Sequence, residues 1–146
     1  MPAMTIVEFA HGSAGYLELV RLRDLHLRQP IGLKMHDEDL AGEESQRHFA
    51  LVENDIILGG LIANPLDASS VKLRQMWIDP GLRGQGCGRE LLEEVERRLA
   101  AASVRHFILH ARKHAAGFYE SSGYQVVGET FAEVGIPHLR MAKQLE

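Results

Sequence analysis

The 146-residue chain has a single cysteine, Cys87, and no apolar run long enough to span a membrane. A lone cysteine excludes an internal disulfide and fits a reducing, cytoplasmic compartment. Residues 1–10 lack the basic start and apolar stretch of a secretory leader. Excess positive charge is missing too. The net charge is −4, whereas a general nucleic-acid binder carries a basic surface. No repeat, low-complexity tract or Pro/Gly/Ser linker divides the sequence, so residues 1–146 are expected to form one domain, with neither nucleic acid nor membrane as partner.

What the chain does have is clear periodicity. "TIVEF" (5–9) reads as a strand, and residues 14–29 as a helix with Leu17, Val20 and Leu25 at helical spacing, stopped by Pro30. A polar connection with a short helix at 37–42 follows. "RHFALVE" and "IILGGLIAN" read as strands joined by the hairpin-like pair Asn54-Asp55, and residues 71–79 as another strand. Leu91, Leu92, Val95 and Leu99 mark one face of a helix over 86–101. "RHFILHA" is a strand and 115–122 a short helix closed by Gly123. "YQVVGETFAEV" and "HLRMAKQL" are expected to form a final hairpin around Gly135-Ile136-Pro137. This order implies an α/β fold with a mixed sheet covered by helices on both faces.

The segment "DPGLRGQGCGREL" places four glycines in the eight positions 81–88, between a strand and a helix. That arrangement suits an anion, because free N–H groups at a helix start converge on it. A nucleotide P-loop would need Lys and Ser/Thr where Cys87 and Gly88 stand. A dinucleotide loop beginning at Gly84 and Gly86 would need glycine at position 89, which is Arg89. Both are excluded.

The remaining pattern, Arg83-Gly84-Gln85-Gly86-Cys87-Gly88, fits R/Q-x-x-G-x-G/A and resembles the GNAT superfamily of acyl-CoA-dependent N-acetyltransferases. "QMWIDPGLRGQGCGRELL", "ARKHAAGFYESSGYQVVG" and "GIPHLRM" extend the resemblance over residues 71–141. It implies a three-layer fold whose mostly antiparallel sheet contains one splayed parallel pair. It also implies acetyl-CoA as cosubstrate, without a metal. The pyrophosphate would sit on the loop Arg83, Gly84, Gln85, Gly86, Cys87, Gly88 and Arg89. Pantetheine would run along Met76, Trp77 and Ile78, with Phe118 and Tyr119 beside it and Tyr119 protonating the leaving thiolate. The acceptor would be a primary amine of a small molecule or peptide, and a homodimer would pair through the last strand.

The general base departs from the family pattern. Lys72 and Arg74 occupy the positions where relatives carry Glu or His, and strict strand alternation would put Lys72, Arg74, Met76 and Ile78 on one face. Neither basic residue readily accepts a proton. By resemblance, Glu133 and His138, flanking the Gly-Ile-Pro turn, are the candidates. Three further features are weighed. His106, His110 and His114 recur every fourth residue, but on a strand the first two lie about 13 Å apart, so a metal site is not expected. Cys87 lacks a His/Asn partner for thiol chemistry. The acids Asp37, Glu38, Asp39, Glu43 and Glu44 would draw in a cationic amine, or simply form a solvated helix start. A non-catalytic acyl-CoA-binding or regulatory module is the alternative to an enzyme.

Overall fold

The structure is a computed structural model and describes residues 4–146, apart from the side chains of Asp37 and Glu38. One sheet runs through it, built from β1 (Thr5–Phe9), β2 (Arg47–Glu53), β3 (Ile56–Pro65), β4 (Ser70–Ile78), β5 (His106–Arg112), β6 (Gln125–Val126), β7 (Phe131–Glu133) and β8 (Ile136–Gln144). The order is β1-β2-β3-β4-β5-β8-β6, with β7 also on β8. All pairings are antiparallel except β4 with β5. The β2–β3 hairpin turns on Asn54 and Asp55, both at positive φ as a tight two-residue turn requires.

Helix α1 (Ala14–Arg23) covers one face, and α2 (Cys87–Ala101) and the short α3 (Ala116–Ser121) cover the other. The main core lies under α2, where Leu91, Leu92, Val95 and Leu99 meet Phe49, Leu73, Phe107 and Leu109. Behind the sheet, Leu19 and Leu22 pack on Trp77 and Ala50. A three-layer α/β fold with one parallel pair results, as the sequence implies.

Three expectations need correction. In α1 the inward residues are Tyr16, Leu19, Leu22 and Arg23, while Leu17 is 61% and Leu25 43% exposed. Leucine spacing misleads there because the buried stripe is partly polar. After Arg23 the helix widens into a π turn, Asp24–Arg28, and a 3₁₀ turn, Gln29–Ile31, with Pro30 inside it. The last hairpin is broken. "YQVVGETFAEV" splits at Gly128, at φ +85, into β6 and β7, which pair with different parts of β8.

Candidate active site

The parallel ladder between β4 and β5 ends at Leu73 opposite Leu109, and beyond it the two strands diverge. The cause lies in β4. Its pairing with β3 slips between Gly60 and Ile62, and Gln75 sits at φ +55, the mark of a β-bulge. The bulge resets the alternation of side chains. Leu73 lies in the α2-side core, and Met76 and Ile78 pack against the same core, whereas Trp77 belongs to the α1 side. Lys72 and Arg74 therefore do not share a face with Met76 and Ile78, contrary to strict alternation. Arg74 instead donates to Gln46 Oε1 (2.6 Å) and reaches Glu43 Oε2 (3.3 Å) on the α1 side.

The divergence opens a cleft of about 940 Å³ that passes between the strands from one face of the sheet to the other. The Asp79 N–H donates to Leu58 O, so successive amides aim those of Ile78 and Met76 into the gap. At the α2 end, Gly84 and Gly86 take positive φ (+79° and +80°), and Gly86 caps the helix without a side-chain bond. The N–H groups of Gly84, Gly86, Cys87, Gly88 and Arg89 have no acceptor among the described residues. Converging free amides of this kind, at the positive end of a 15-residue helix, can hold a phosphate group. A Cβ at Gly86 would meet no protein atom within 4 Å, whereas one at Gly88 would press on Phe118 Cζ at 3.3 Å. Gly86 thus keeps the cradle open, and Gly88 lets α3 approach.

Of the other residues expected at the site, Phe118 and Tyr119 stand on α3 against the α2-side core, with rings 5.0 Å apart. The Tyr119 hydroxyl contacts Met76 Sδ at 3.5 Å, and burial pushes its pKa up to about 12. Trp77 turns its indole away from this end and stacks on His26 at 4.5 Å. Room for it comes from Gly60, where a Cβ would lie 2.6 Å from Trp77 Nε1. Cys87 is buried, and that burial, with Glu90 and Glu53, raises its thiol pKa, so the residue is packing. Arg83 and Arg89 border the cleft, and Arg89 Nη2 also donates to Ser121 O.

On the α1 face the strands bring together residues distant in sequence. Along β5, Phe107, Leu109 and Ala111 point into the α2-side core, so His110 and Arg112 face the other way. His110 Nδ1 lies 3.0 Å from Glu133 Oε1, and His138 Nε2 lies 3.6 Å from Glu133 Oε2. Burial raises the Glu133 carboxyl pKa. The His110 hydrogen bond and the charges of His110, His138 and Lys72 outweigh it, leaving the group below its ordinary value. An ionised carboxylate only accepts, so His110 Nδ1 carries the hydrogen, and in the neutral ring the lone pair is on Nε2. His138 is engaged at both ring nitrogens, because its Nδ1 donates to Ile136 O at 2.9 Å and its Nε2 faces Glu133 Oε2 at 3.6 Å. Glu133 and His138, the two candidates for the base, both border the cleft. His110 contacts Glu133 through Nδ1 alone, and sequence periodicity offers it only as a metal ligand that is not expected. Its partner is 23 residues away on β7, and no local spacing announces the pair.

Glu43 is 0% exposed and locked by Arg23 at 2.8 and 2.9 Å, so it faces no acceptor. Asp39 borders the cleft, and the side chains of Asp37 and Glu38 lie outside the described residues.

Comparison with known proteins agrees with this geometry. Residues 27–145 match the family model of the acetyltransferase (GNAT) domain. The chain is 36% identical to the uncharacterized N-acetyltransferase YitI of Bacillus subtilis, over 86% of this chain and 88% of that protein. It spans about half the length of the first curated relatives it matches. A Lactobacillus plantarum candidate N-acetyltransferase superposes with a TM-score of 0.87 at 26% identity, covering 99% of both chains. A GNAT acetyltransferase of Elizabethkingia anophelis, solved with acetyl-CoA bound, superposes at 0.70 with 18% identity, over 97% of this chain and 98% of that one. A splayed parallel pair, a glycine loop of free amides and a family match over most of the sequence lead to one conclusion: the chain belongs to the GNAT acetyltransferase family.

Proposed function

We propose that the protein is an N-acetyltransferase that moves the acetyl group of acetyl-CoA directly to a primary amine. The observation that carries this is the pair of proton-handling groups on opposite sides of one gap: the His110–Glu133 pair toward α1 and the Tyr119 hydroxyl toward α2. The five free amides from Gly84 to Arg89 fit the pyrophosphate, and the unpaired edge of β4 at Met76 and Ile78 fits the amides of pantetheine. A relative with acetyl-CoA bound shares the fold, which supports this choice of cosubstrate.

The chain's residues divide the work. His110 Nε2 takes a proton from the acceptor's ammonium and so frees the lone pair that attacks the thioester carbon, while Glu133 holds the ring and balances the charge it gains. The Ile78 N–H donates to the thioester oxygen as negative charge develops there. Tyr119 gives its proton to the sulfur as the C–S bond breaks, and the extra proton on the new amide nitrogen passes to solvent, from which the phenol is restored, so that neutral amide and free CoA leave. Because base and acid stand on different faces, amine and thiol are handled without sharing a proton carrier.

The test is release of free thiol from acetyl-CoA across a broad amine panel. Turnover with any primary amine supports the enzyme. Tight acetyl-CoA binding with no thiol release over the whole panel would leave a non-catalytic acyl-CoA-binding module.

A further inference from the structure

The two ends of the cleft differ in chemistry. The α2 end offers backbone amides, whereas the α1 end offers side-chain cations. Arg28 closes the π turn after α1, borders the cleft and is 7% exposed. Its guanidinium has neither a hydrogen bond nor an ion pair among the described residues. A buried charge without a partner is costly, so such groups are normally paired. Arg23, the other buried arginine, grips Glu43 through both terminal nitrogens. Asp24, one turn before Arg28, spends its carboxylate on Gln29 Nε2 and the Met35 N–H.

Arg112 adds a second guanidinium at the end of β5. It donates one N–H to Leu27 O at 2.8 Å, which leaves most of its five donors free. Burial, and then the charge of Arg28, depress its pKa, so the two cations are near enough to repel. Lys72 lies on the same face and is likewise held low by burial and by Arg74 and Arg140, with Glu133 opposing. Among the described residues, the carboxylates bordering the cleft are engaged: Glu133 with His110, and Asp39 with the His36 N–H. Two guanidiniums near enough to repel, one on a largely buried residue with no hydrogen bond among the described residues and with Asp24 as its nearby counter-charge, at the mouth opposite the amide cradle, amount to an anion site on the acceptor side.

We propose that Arg28 and Arg112 bind an anionic group of the acceptor, so that the substrates are amines bearing a carboxylate or a phosphate rather than polycations. The inference rests on the transferase reading for its link to catalysis, but the binding it requires does not. A planar guanidinium matches either anion with two parallel hydrogen bonds, which would turn the amine toward His110 and the gap.

The test uses matched probes on the full chain loaded with CoA, which prevents turnover. L-phenylalanine is compared with phenethylamine, L-lysine with cadaverine, and phosphoethanolamine with ethanolamine, by calorimetry. In at least one pair, the anionic member should bind about 10- to 100-fold more tightly, the worth of one or two charge-assisted bonds. Arg28→Gln should erase that preference without weakening the counterpart that lacks the anionic group, and Arg112→Gln should reduce it. Circular dichroism confirms folding, and if Arg28→Gln does not fold, the Arg112→Gln comparison decides. Which pairs discriminate separates carboxylate from phosphate recognition. Equal affinities within every pair, no binding of any probe, or an unchanged preference in the folded variants would overturn the subsite. Absence of thiol release from acetyl-CoA, with the binding preference intact, would instead overturn the transferase reading alone.

Discussion

At the scale of single residues, the site depends on which protons are available. Burial raises Tyr119 to about 12, so its phenol stays protonated through the range in which such enzymes are assayed. Tyr119→Phe keeps the ring against Phe118 and Tyr124 and removes only the donor. If the hydroxyl serves the leaving thiolate, kcat should fall by about 10²- to 10⁴-fold while acetyl-CoA affinity is retained. The loss should also be nearly constant up to pH about 10, because the parent keeps its proton there. A parental kcat would make Tyr119 a packing residue. The base is tested separately. His110→Gln should lower kcat by a comparable factor. Glu133 acts through His110, so Glu133→Gln should cost less and should also displace the acid limb of the kcat/KM profile to lower pH, since the anion favouring a charged ring is gone. A Glu133→Gln variant with an unshifted profile would reduce that carboxylate to a turn-flanking charge.

At the scale of elements, the loop and the bulge show why some of the fold was legible and some was not. The α2 stripe of Leu91, Leu92, Val95 and Leu99 is a local periodicity, and all four residues are buried as the spacing indicates. The loop was legible because its glycines are chemical requirements. Gly86 needs a left-handed φ and an empty face. Gly86→Ala should therefore cost about 1–2 kcal/mol of stability through its φ alone. The methyl group would also stand where the phosphate approaches, so the Kd for CoA should rise at least about tenfold, the effect of losing one charge-assisted bond. Unchanged CoA affinity in that variant would separate the cradle from the ligand. The bulge left no comparable mark. Gln75 adopts φ +55 although glutamine has no preference for it, so the reversal of faces between Arg74 and Met76 comes from tertiary pairing with β3. The His110–Glu133 contact was hidden for the same reason, since β5 and β7 meet only through their shared neighbour β8.

At the scale of the whole molecule, α1 is fastened to the sheet by a buried polar cluster that also backs the acceptor wall. Glu43 accepts from Arg23, from the Tyr16 hydroxyl at 2.8 Å and from Arg74 of β4, and its backbone carbonyl accepts from His48 Nε2 at 2.8 Å. Each member stabilises one protonation state. Burial opposes ionisation of Glu43, but Arg23, Tyr16 and Arg74 more than offset it, so its pKa falls below 4.5. Burial likewise lowers His48 below 6.5, which keeps the imidazole neutral. Tyr16 moves the other way, up to about 12 from 10.0, through burial and its bond to Glu43. For His48 and Glu43 the folded pKa is depressed, so their stabilisation is present above 6.5 and 4.5 and is lost as pH falls through the folded values. For Tyr16 the folded pKa is raised, so its share is present below 10.0 and fades as pH climbs toward about 12. Denaturant midpoints should accordingly form a plateau between these limits, with a first decline beginning below 6.5 and a second below 4.5. Glu43→Gln leaves Arg23 buried without its anion, a change that typically costs about 3–5 kcal/mol. It should also shrink the second decline while sparing the first, because Glu8 and Glu133 are likewise held low and still titrate there, and His48 still titrates against burial. A variant that keeps both steps undiminished, or loses less than about 1 kcal/mol, would mean that the cluster neither fastens α1 nor sets the acid limit of the fold.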